Sequence, residues 1–163
     1  MIRLAREEDC ERIGELWLLL AEYHQQLDPA MPRPAVDGAQ RYAQRIRSSL
    51  DDSLTNVFVA EYDAQIVGYV LCMIVDWLPE MFEFEMGGML ADIYVLPEFR
   101  ARGIGQALVN VARDWFAGRG IRQFEWYVAT ANRSGVAFWR AMGGHEVMLR
   151  MRADTTIERE ALE

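Results

Sequence analysis

Residues 93–112 read IYVLPEFRARGIGQALVNVA. A β-branched, apolar run stops at Pro97, a short loop ends in Gly103 and Gly105, and an apolar pattern with helical spacing follows at once. This order predicts a strand, a tight turn and the N-terminus of a helix. The first N–H groups of a helix have no partner within it and carry the positive end of its dipole. The turn is therefore suited to bind an anion such as phosphate or pyrophosphate.

The charge and the glycine spacing of this turn exclude two common kinds of phosphate-binding loop. Arg100 and Arg102 add positive charge to the turn, although glycines at this spacing also occur in turns that only need a positive φ. The mononucleotide P-loop pattern is absent from the sequence. The dinucleotide pattern fails because Leu108 stands where its third glycine would be. The turn is predicted to bind phosphate, but as neither a P-loop nor a dinucleotide-binding turn.

Two motifs in the chain resemble those of the GCN5-related N-acetyltransferases, the GNAT family. The acetyl-CoA signature Arg/Gln-x-x-Gly-x-Gly/Ala, after a strand ending in Val-x-Pro, is matched by Arg100-Ala101-Arg102-Gly103-Ile104-Gly105 after Val95-Leu96-Pro97. The second motif is matched by Asn132, Ala137, the pair Phe138-Trp139 and Gly143. The resemblance spans about residues 2–152. It implies an α+β GNAT fold, with a central mixed, twisted sheet, a splay between two parallel strands and helices on both faces.

The resemblance also implies how acetyl-CoA binds. The cofactor would lie in the splay, where the N–H of Ile93 would polarise the thioester carbonyl and Val95 would hold the pantetheine amides. Backbone amides of residues 102–107 would cradle the pyrophosphate. The cofactor-binding residues implied in this way are Ile93, Tyr94, Val95, Arg100, Ala101, Arg102, Gly103, Ile104, Gly105, Gln106, Ala107, Asn132 and Trp139. Asn132 is also suited to cap the helix that follows it.

An amine acceptor requires a base, because an amine with a pKa near 10.4 is almost entirely protonated at pH 7. Asp92 is the carboxylate nearest in sequence to the acyl position. Neighbouring side chains of a strand face opposite ways, so Asp92 and Ile93 cannot both enter one cleft unless a bulge intervenes. The alternative for Asp92 is a helix cap or an ion pair.

The general acid is a second open question. Members of the family often use a tyrosine where this chain has Trp139, and an indole N–H cannot deliver a proton at useful pH. Tyr127 and Tyr94 are possible substitutes. A thiol with a pKa near 8.5 also leaves as the thiolate without help.

The acceptor side is predicted from fewer signals. His24 at the end of the first helix, Glu83 and Glu85 are candidate acceptor-binding residues, with a capping histidine and a solvated loop as the alternatives. Trp17 belongs to an aromatic group that suits ammonium recognition or the core. The net charge of −8 favours a cationic small molecule such as a polyamine or aminoglycoside, with an amino acid or peptide N-terminus as the second choice.

Composition excludes several classes of protein. The negative charge opposes nucleic-acid binding. The charged N-terminus and the absence of a long apolar run indicate a cytoplasmic protein without a membrane span. The two cysteines lack metal-site spacing. We expect one domain over residues 1–153 and a polar tail over residues 154–163, and the family resemblance implies a homodimer.

Periodicity predicts the remaining elements. Strands are expected over residues 2–4, 56–62, 66–74, 89–96, 123–128 and 146–152, and helices over residues 10–27, 36–50, 106–117 and 134–142. The resemblance implies an acetyl-CoA-dependent N-acetyltransferase, by direct attack of a primary amine in a ternary complex. The alternatives are a non-catalytic domain that binds or senses acyl-CoA, and acetylation of a peptide or protein amine.

Overall fold

The computed structural model describes residues 1–76, 81 and 85–155. Within these residues five strands form one sheet in the order β1-β2-β3-β4-β5: β1 Ile2–Leu4, β2 Thr55–Tyr62, β3 Gln65–Asp76, β4 Met86–Val95 and β5 Phe124–Trp126. The helices are α1 Cys10–Leu27, α2 Gly38–Ser49, α3 Ile104–Ala117 and α4 Arg133–Ala141. β1 to β4 pair antiparallel and β4 pairs parallel with β5. The expected α+β fold with a mixed sheet is confirmed.

Helices cover both faces of the sheet, as the resemblance implied. On one face, Leu108 and Phe116 of α3 pack with Trp139 of α4 against the sheet. On the other face, Ile13 of α1 and Ile46 of α2 pack against it. Burying each of these large side chains contributes roughly 1.5–3 kcal/mol to folding. Among the described residues, no helix is long and apolar enough to cross a bilayer.

A β-bulge in β4 sets the direction of Asp92. Leu71 pairs with Asp92 and Cys72 pairs with Leu90, which leaves Ala91 as the extra residue. Leu90 lies in the core beneath α3, whereas Ala91 packs on the α1–α2 face. Asp92 also faces α1 and α2, because the bulge turns two consecutive side chains to the same side. The bulge precedes Asp92 and does not fall between Asp92 and Ile93, so these two side chains still face opposite sides of the sheet, with Ile93 packed on the α3 side. Asp92 as the base stays a prediction.

The parallel strands β4 and β5 separate after a short paired region. Their register runs from Gly88 opposite Phe124 to Leu90 opposite Trp126 and ends there. Among the strands that the structure describes, β4 then has β3 alone beside it as far as Val95. This is the splay that the family resemblance implied.

The prediction of a last strand over residues 146–152 is wrong. The segment pairs with no strand among the described residues, and its apolar side chains Val147, Met148, Leu149 and Met151 are exposed. Alternating polarity produces a strand only where a sheet edge and a buried face accept it. In this structure neither covers the segment.

Other boundaries shift by a few residues. β5 is shorter than the predicted 123–128. β4 begins at Met86 rather than residue 89, because Gly87 and Gly88 already pair with β3. A Cβ at Gly88 would lie 2.7 Å from Cβ of Phe124 and 2.8 Å from the Phe116 ring. The absence of a side chain at Gly88 therefore lets two aromatic rings close over the strand.

Candidate functional site

The open edge of β4 offers backbone donors to the splay. Leu96 N–H donates to Val67 O on the β3 side at 2.9 Å. N–H groups alternate in direction along a strand, so those of Ile93 and Val95 point the other way, toward the side from which β5 has separated. An extended ligand that carries amides can pair with this edge as an added strand would.

The turn after β4 presents the start of α3. Gly103 is the N-cap residue with φ 78°, in the left-handed region, and no side chain caps the helix. Ala101 also has a positive φ of 58°. The first bond of the helix runs from Ala107 N–H to Gly103 O at 2.9 Å. The N–H groups of residues 104–106 therefore have no acceptor within the helix, whereas that of Ala107 is already used.

The two arginines of the turn have different surroundings. Nε of Arg100 donates to Val95 O at 2.9 Å. Its guanidinium carbon lies 5.4 Å from the ring centroids of both Tyr23 and Tyr94. Arg102 is exposed and lies over the Phe99 ring, with no ion pair to any described residue. Arg100 thus fixes the end of β4, and Arg102 is the arginine available to an anion.

On the far side of the splay, the motif residues of α4 take structural roles. The side chain of Asn132 caps α4 by accepting a bond from Gly135 N–H at 3.0 Å, and it lies 3.5 Å from the Tyr23 hydroxyl. Trp139 is 7% exposed and stacks on Trp126 with ring centroids 4.3 Å apart. The capping alternative for Asn132 is confirmed, and its contact with the cofactor stays a prediction. The indole of Trp139 packs in the core.

Tyr127, the candidate acid, lies just beyond the end of β5 with 69% of its surface exposed. The other candidate, Tyr94, is buried on the α1–α2 face, and burial raises its pKa. Their assignment as acids stays a prediction.

A cavity of about 350 Å³ lies on the α1–α2 side of β4. It is lined by Trp17, Leu20, Ala21, His24, Met31, Pro32, Arg33, Pro34, Ala35 and Asp92. The structure therefore brings together two of the predicted residues, His24 and Asp92. Sequence reasoning missed Arg33, which lies between two prolines in the loop after α1.

Asp92 is the carboxylate of this cavity. The hydroxyl of Tyr42 donates to its Oδ2 at 2.7 Å. Burial raises the pKa of Asp92 above its ordinary value, although the Tyr42 bond and the charge of Arg45 partly oppose this. Burial also lowers the pKa of His24, which favours the neutral imidazole. Raised carboxylate basicity beside a neutral histidine suits proton transfer.

Of the two predicted glutamates, Glu85 is not brought to this cavity. Glu83 lies outside the described residues. Glu85 precedes β4 and pairs with Arg122 at 2.7 Å. It stands seven residues before Asp92, or roughly 20 Å along an extended strand.

Comparison with known proteins identifies acetyltransferases as similar to this chain. A model of the acetyltransferase (GNAT) family matches residues 17–143. An uncharacterized N-acetyltransferase of Methanocaldococcus jannaschii is 35% identical over 55% of this chain, and the match spans only 38% of that relative's length. A thialysine N-epsilon-acetyltransferase of Sus scrofa is 25% identical over 90% of this chain and 85% of its own.

A solved structure of an aminoglycoside N-acetyltransferase, AAC(6')-Iy in complex with CoA, has the same fold. Its TM-score is 0.70 at 21% identity, over 96% of this chain and 95% of that one. Since the family model covers most of the chain, including both motifs and the Asp92 cavity, this protein belongs to the acetyltransferase (GNAT) family.

Proposed function

We propose that this protein transfers the acetyl group of acetyl-CoA to a primary amine of a small molecule, by direct attack in a ternary complex. The observation that carries the proposal is the placement of two half-sites around β4. Backbone donors of β4 and α3 face the splay, while the Asp92 cavity lies at the bulge in the same strand. The donor and the acceptor can thus approach one segment of backbone from two sides.

The donor half-site fits a pyrophosphate joined to an amide-bearing arm. The free N–H groups of residues 104–106 and the charge of Arg102 would bind the diphosphate. The N–H groups of Ile93 and Val95 would bind the thioester oxygen and the arm. Acetyl-CoA supplies an activated acyl group with a thiolate leaving group. A rigid donor at Ile93 would stabilise the negative charge that develops on the carbonyl oxygen.

The acceptor half-site provides the base. Asp92 would accept a proton from the ammonium group, directly or through a water molecule, and leave a neutral amine to attack. Its raised pKa brings its basicity closer to that of the acceptor. The thiolate needs no acid of its own, since its pKa is roughly 8.5. Burial of Trp139 is therefore compatible with turnover.

The proposal is tested by measuring CoA thiol release from acetyl-CoA against a panel of primary amines. Amine-dependent release with a mass increase of one acetyl group on the amine is expected. Binding of acetyl-CoA without release for any amine would instead support a domain that senses acyl-CoA. A variant with Asp114→Asn, exposed near the C-terminal end of α3 and away from its first turn, controls for the handling of the protein.

We also propose a homodimer in which residues 146–152 of each copy pair with β5 of the other. Among the described residues the segment has no strand partner, and Val147, Leu149 and Met151 are exposed by 68%, 77% and 87%. In a strand these three side chains would share one side. Among the described residues the outer edge of β5 is also unpaired. In a two-fold dimer, residues 146–152 of each copy would pair with the outer edge of β5 in the other copy, so both contacts form at once.

Light scattering should give a dimer, and L149D with M151D should give a monomer. A monomeric parent protein would overturn this assignment.

A further inference from the structure

The Asp92 cavity carries opposite charges on its walls. Asp92 lies on the β4 wall and Arg33 lies on the loop between α1 and α2. They are the only fully charged side chains in the described lining, which is otherwise apolar or aromatic apart from His24. We propose that the acceptor amine also bears a carboxylate, which Arg33 binds while Asp92 receives the ammonium group. This inference rests on the proposed function and names its class of substrate.

One carboxylate oxygen of Asp92 is available to a ligand. Oδ2 accepts the hydrogen bond from Tyr42. Among the described residues, nothing donates a hydrogen bond to Oδ1. The carboxylate is mostly buried, and an unpaired charge in such a place is costly unless an opposite charge meets it. A primary ammonium group provides that charge and up to three donors.

The guanidinium of Arg33, on the other wall of the cavity, is also available to a ligand. It lies between Pro32 and Pro34, and prolines restrict the backbone on both sides. Its guanidinium makes no hydrogen bond or ion pair with any described residue, although the chain has 25 acidic and only 17 basic residues. An exposed guanidinium with no partner can form two parallel hydrogen bonds with a carboxylate.

The rest of the cavity lining suits a short apolar stem. Trp17, Leu20 and Met31 line it, and the volume of about 350 Å³ is near the lower end for small-molecule sites, roughly 300–1,000 Å³. A polyamine would place its second ammonium group near Arg33, where like charges repel. The structure thus favours an ω-amino acid or a related zwitterion over the polycation suggested by the net charge.

The experiment compares acceptors that differ only at the far end. We would measure kcat/KM for ω-amino acids of three to six carbons, for n-alkylamines and for α,ω-diamines of the same length. The amino acid of the best length is expected to exceed its matched alkylamine and diamine by about tenfold or more, since a charged hydrogen-bonded pair contributes that much. Equal or better use of the diamine would overturn the inference.

Variants test the assignment to Arg33. Arg33→Ala is expected to remove the preference, chiefly by raising KM for the amino acid, and Arg33→Lys to keep part of it. Arg6→Ala, at the other end of α1 and exposed, should leave the ratio unchanged. A preference that survives in Arg33→Ala would show that another residue binds the carboxylate.

A binding measurement separates this inference from the proposed function. Saturation-transfer NMR of the same ligands with the protein and CoA needs no turnover. Binding that depends on Arg33 without thiol release from any amine would refute only the catalytic proposal. Turnover of amines without a carboxylate preference would refute only the assignment to Arg33.

Discussion

The hydroxyl of Tyr42 in α2 donates a 2.7 Å hydrogen bond to Oδ2 of Asp92 in β4. Tyr42 is itself held by Trp17, which stacks on it with ring centroids 5.0 Å apart, and by the edge of Tyr69 at 6.2 Å. Burial, Tyr69 and Asp92 raise the pKa of Tyr42, so it keeps its proton and acts as a donor. A packed aromatic group therefore positions the carboxylate that lines the Asp92 cavity from β4.

The substitution Asp92→Asn is expected to lower activity and raise stability. Loss of the base should reduce kcat by about 10²- to 10⁴-fold. The raised pKa means that proton binding to Asp92 stabilises the folded state at low pH, and that this stabilisation is lost as pH rises through the folded-state pKa. A neutral amide, which can still accept the Tyr42 bond, avoids that loss.

At pH 8 the free energy of unfolding should therefore increase, by roughly 0.5–2 kcal/mol, as is common when a strained functional group is replaced. Thermal unfolding at pH 5 and pH 8 measures it, and the gain should be smaller at pH 5. Full kcat in the variant would exclude Asp92 as the base.

The substitution Tyr42→Phe is expected to shift the pH profile. The hydrogen bond from Tyr42 lowers the pKa of Asp92, so its loss should raise that pKa further and move the acidic limb of kcat/KM to higher pH. Arg45 and His24, which also lie near this carboxylate or line its cavity, stay in place. Activity should recover at alkaline pH, which a merely misfolded variant would not do. Tyr62→Phe, at the exposed end of β2, is the control.

The sequence predicted best where local signals and packing agree. The bounds of α1 were predicted correctly, because Asp28 and Pro29 end an uninterrupted helical pattern. The turn before α3 was also predicted, since Gly103 marks a position that needs a positive φ. These features depend on residues that are neighbours in the chain.

The sequence predicted poorly where partners are distant. The bulge at Ala91 is a difference in register between two strands, and it was expected only from the family. Arg33 reaches the Asp92 cavity because the loop after α1 folds over β4. The ion pair of Glu85 was missed for the same reason, since its partner Arg122 comes from the segment before β5. Local pattern does not reveal such pairings.

A third prediction concerns acid stability. Asp9 is 5% exposed and accepts bonds from Arg3 at 2.7 and 3.0 Å and from the Arg6 N–H at 2.8 Å. Burial tends to raise the pKa of Asp9, but these bonds outweigh it and the pKa lies below its ordinary value. Its stabilisation is present above the unfolded pKa near 3.9 and is lost as pH falls through the folded value.

Asp9→Asn should destabilise the protein by about 3 kcal/mol at pH 7, because it leaves the Arg3 charge without its main partner. Asp37→Asn, which removes an exposed pair with Arg41, should cost less than about 1 kcal/mol. Urea unfolding at pH 7 and pH 3.5 compares the variants. The difference in the free energy of unfolding between Asp9→Asn and the parent protein should be smaller at pH 3.5 than at pH 7. An equal difference at both pH values would contradict the role of the Asp9 charge.

Substitutions of the two arginines in the turn after β4 should have different effects on kinetics and on stability. Arg102→Ala should raise KM for acetyl-CoA by about tenfold, a loss of roughly 1.4 kcal/mol, and leave kcat and thermal stability unchanged, since Arg102 is exposed and pairs with no described residue. Arg100→Ala should instead lower stability by about 1–2 kcal/mol. It removes the bond to Val95 O and the contacts with Tyr23 and Tyr94.

The measurements are initial rates over a range of acetyl-CoA concentrations, at low and high salt, together with thermal unfolding. The salt dependence of KM should be weaker in Arg102→Ala, because the removed charge attracts the diphosphate through a screened interaction. If both variants raised KM equally without any change in stability, the distinction between an anchoring Arg100 and a ligand-facing Arg102 would be lost.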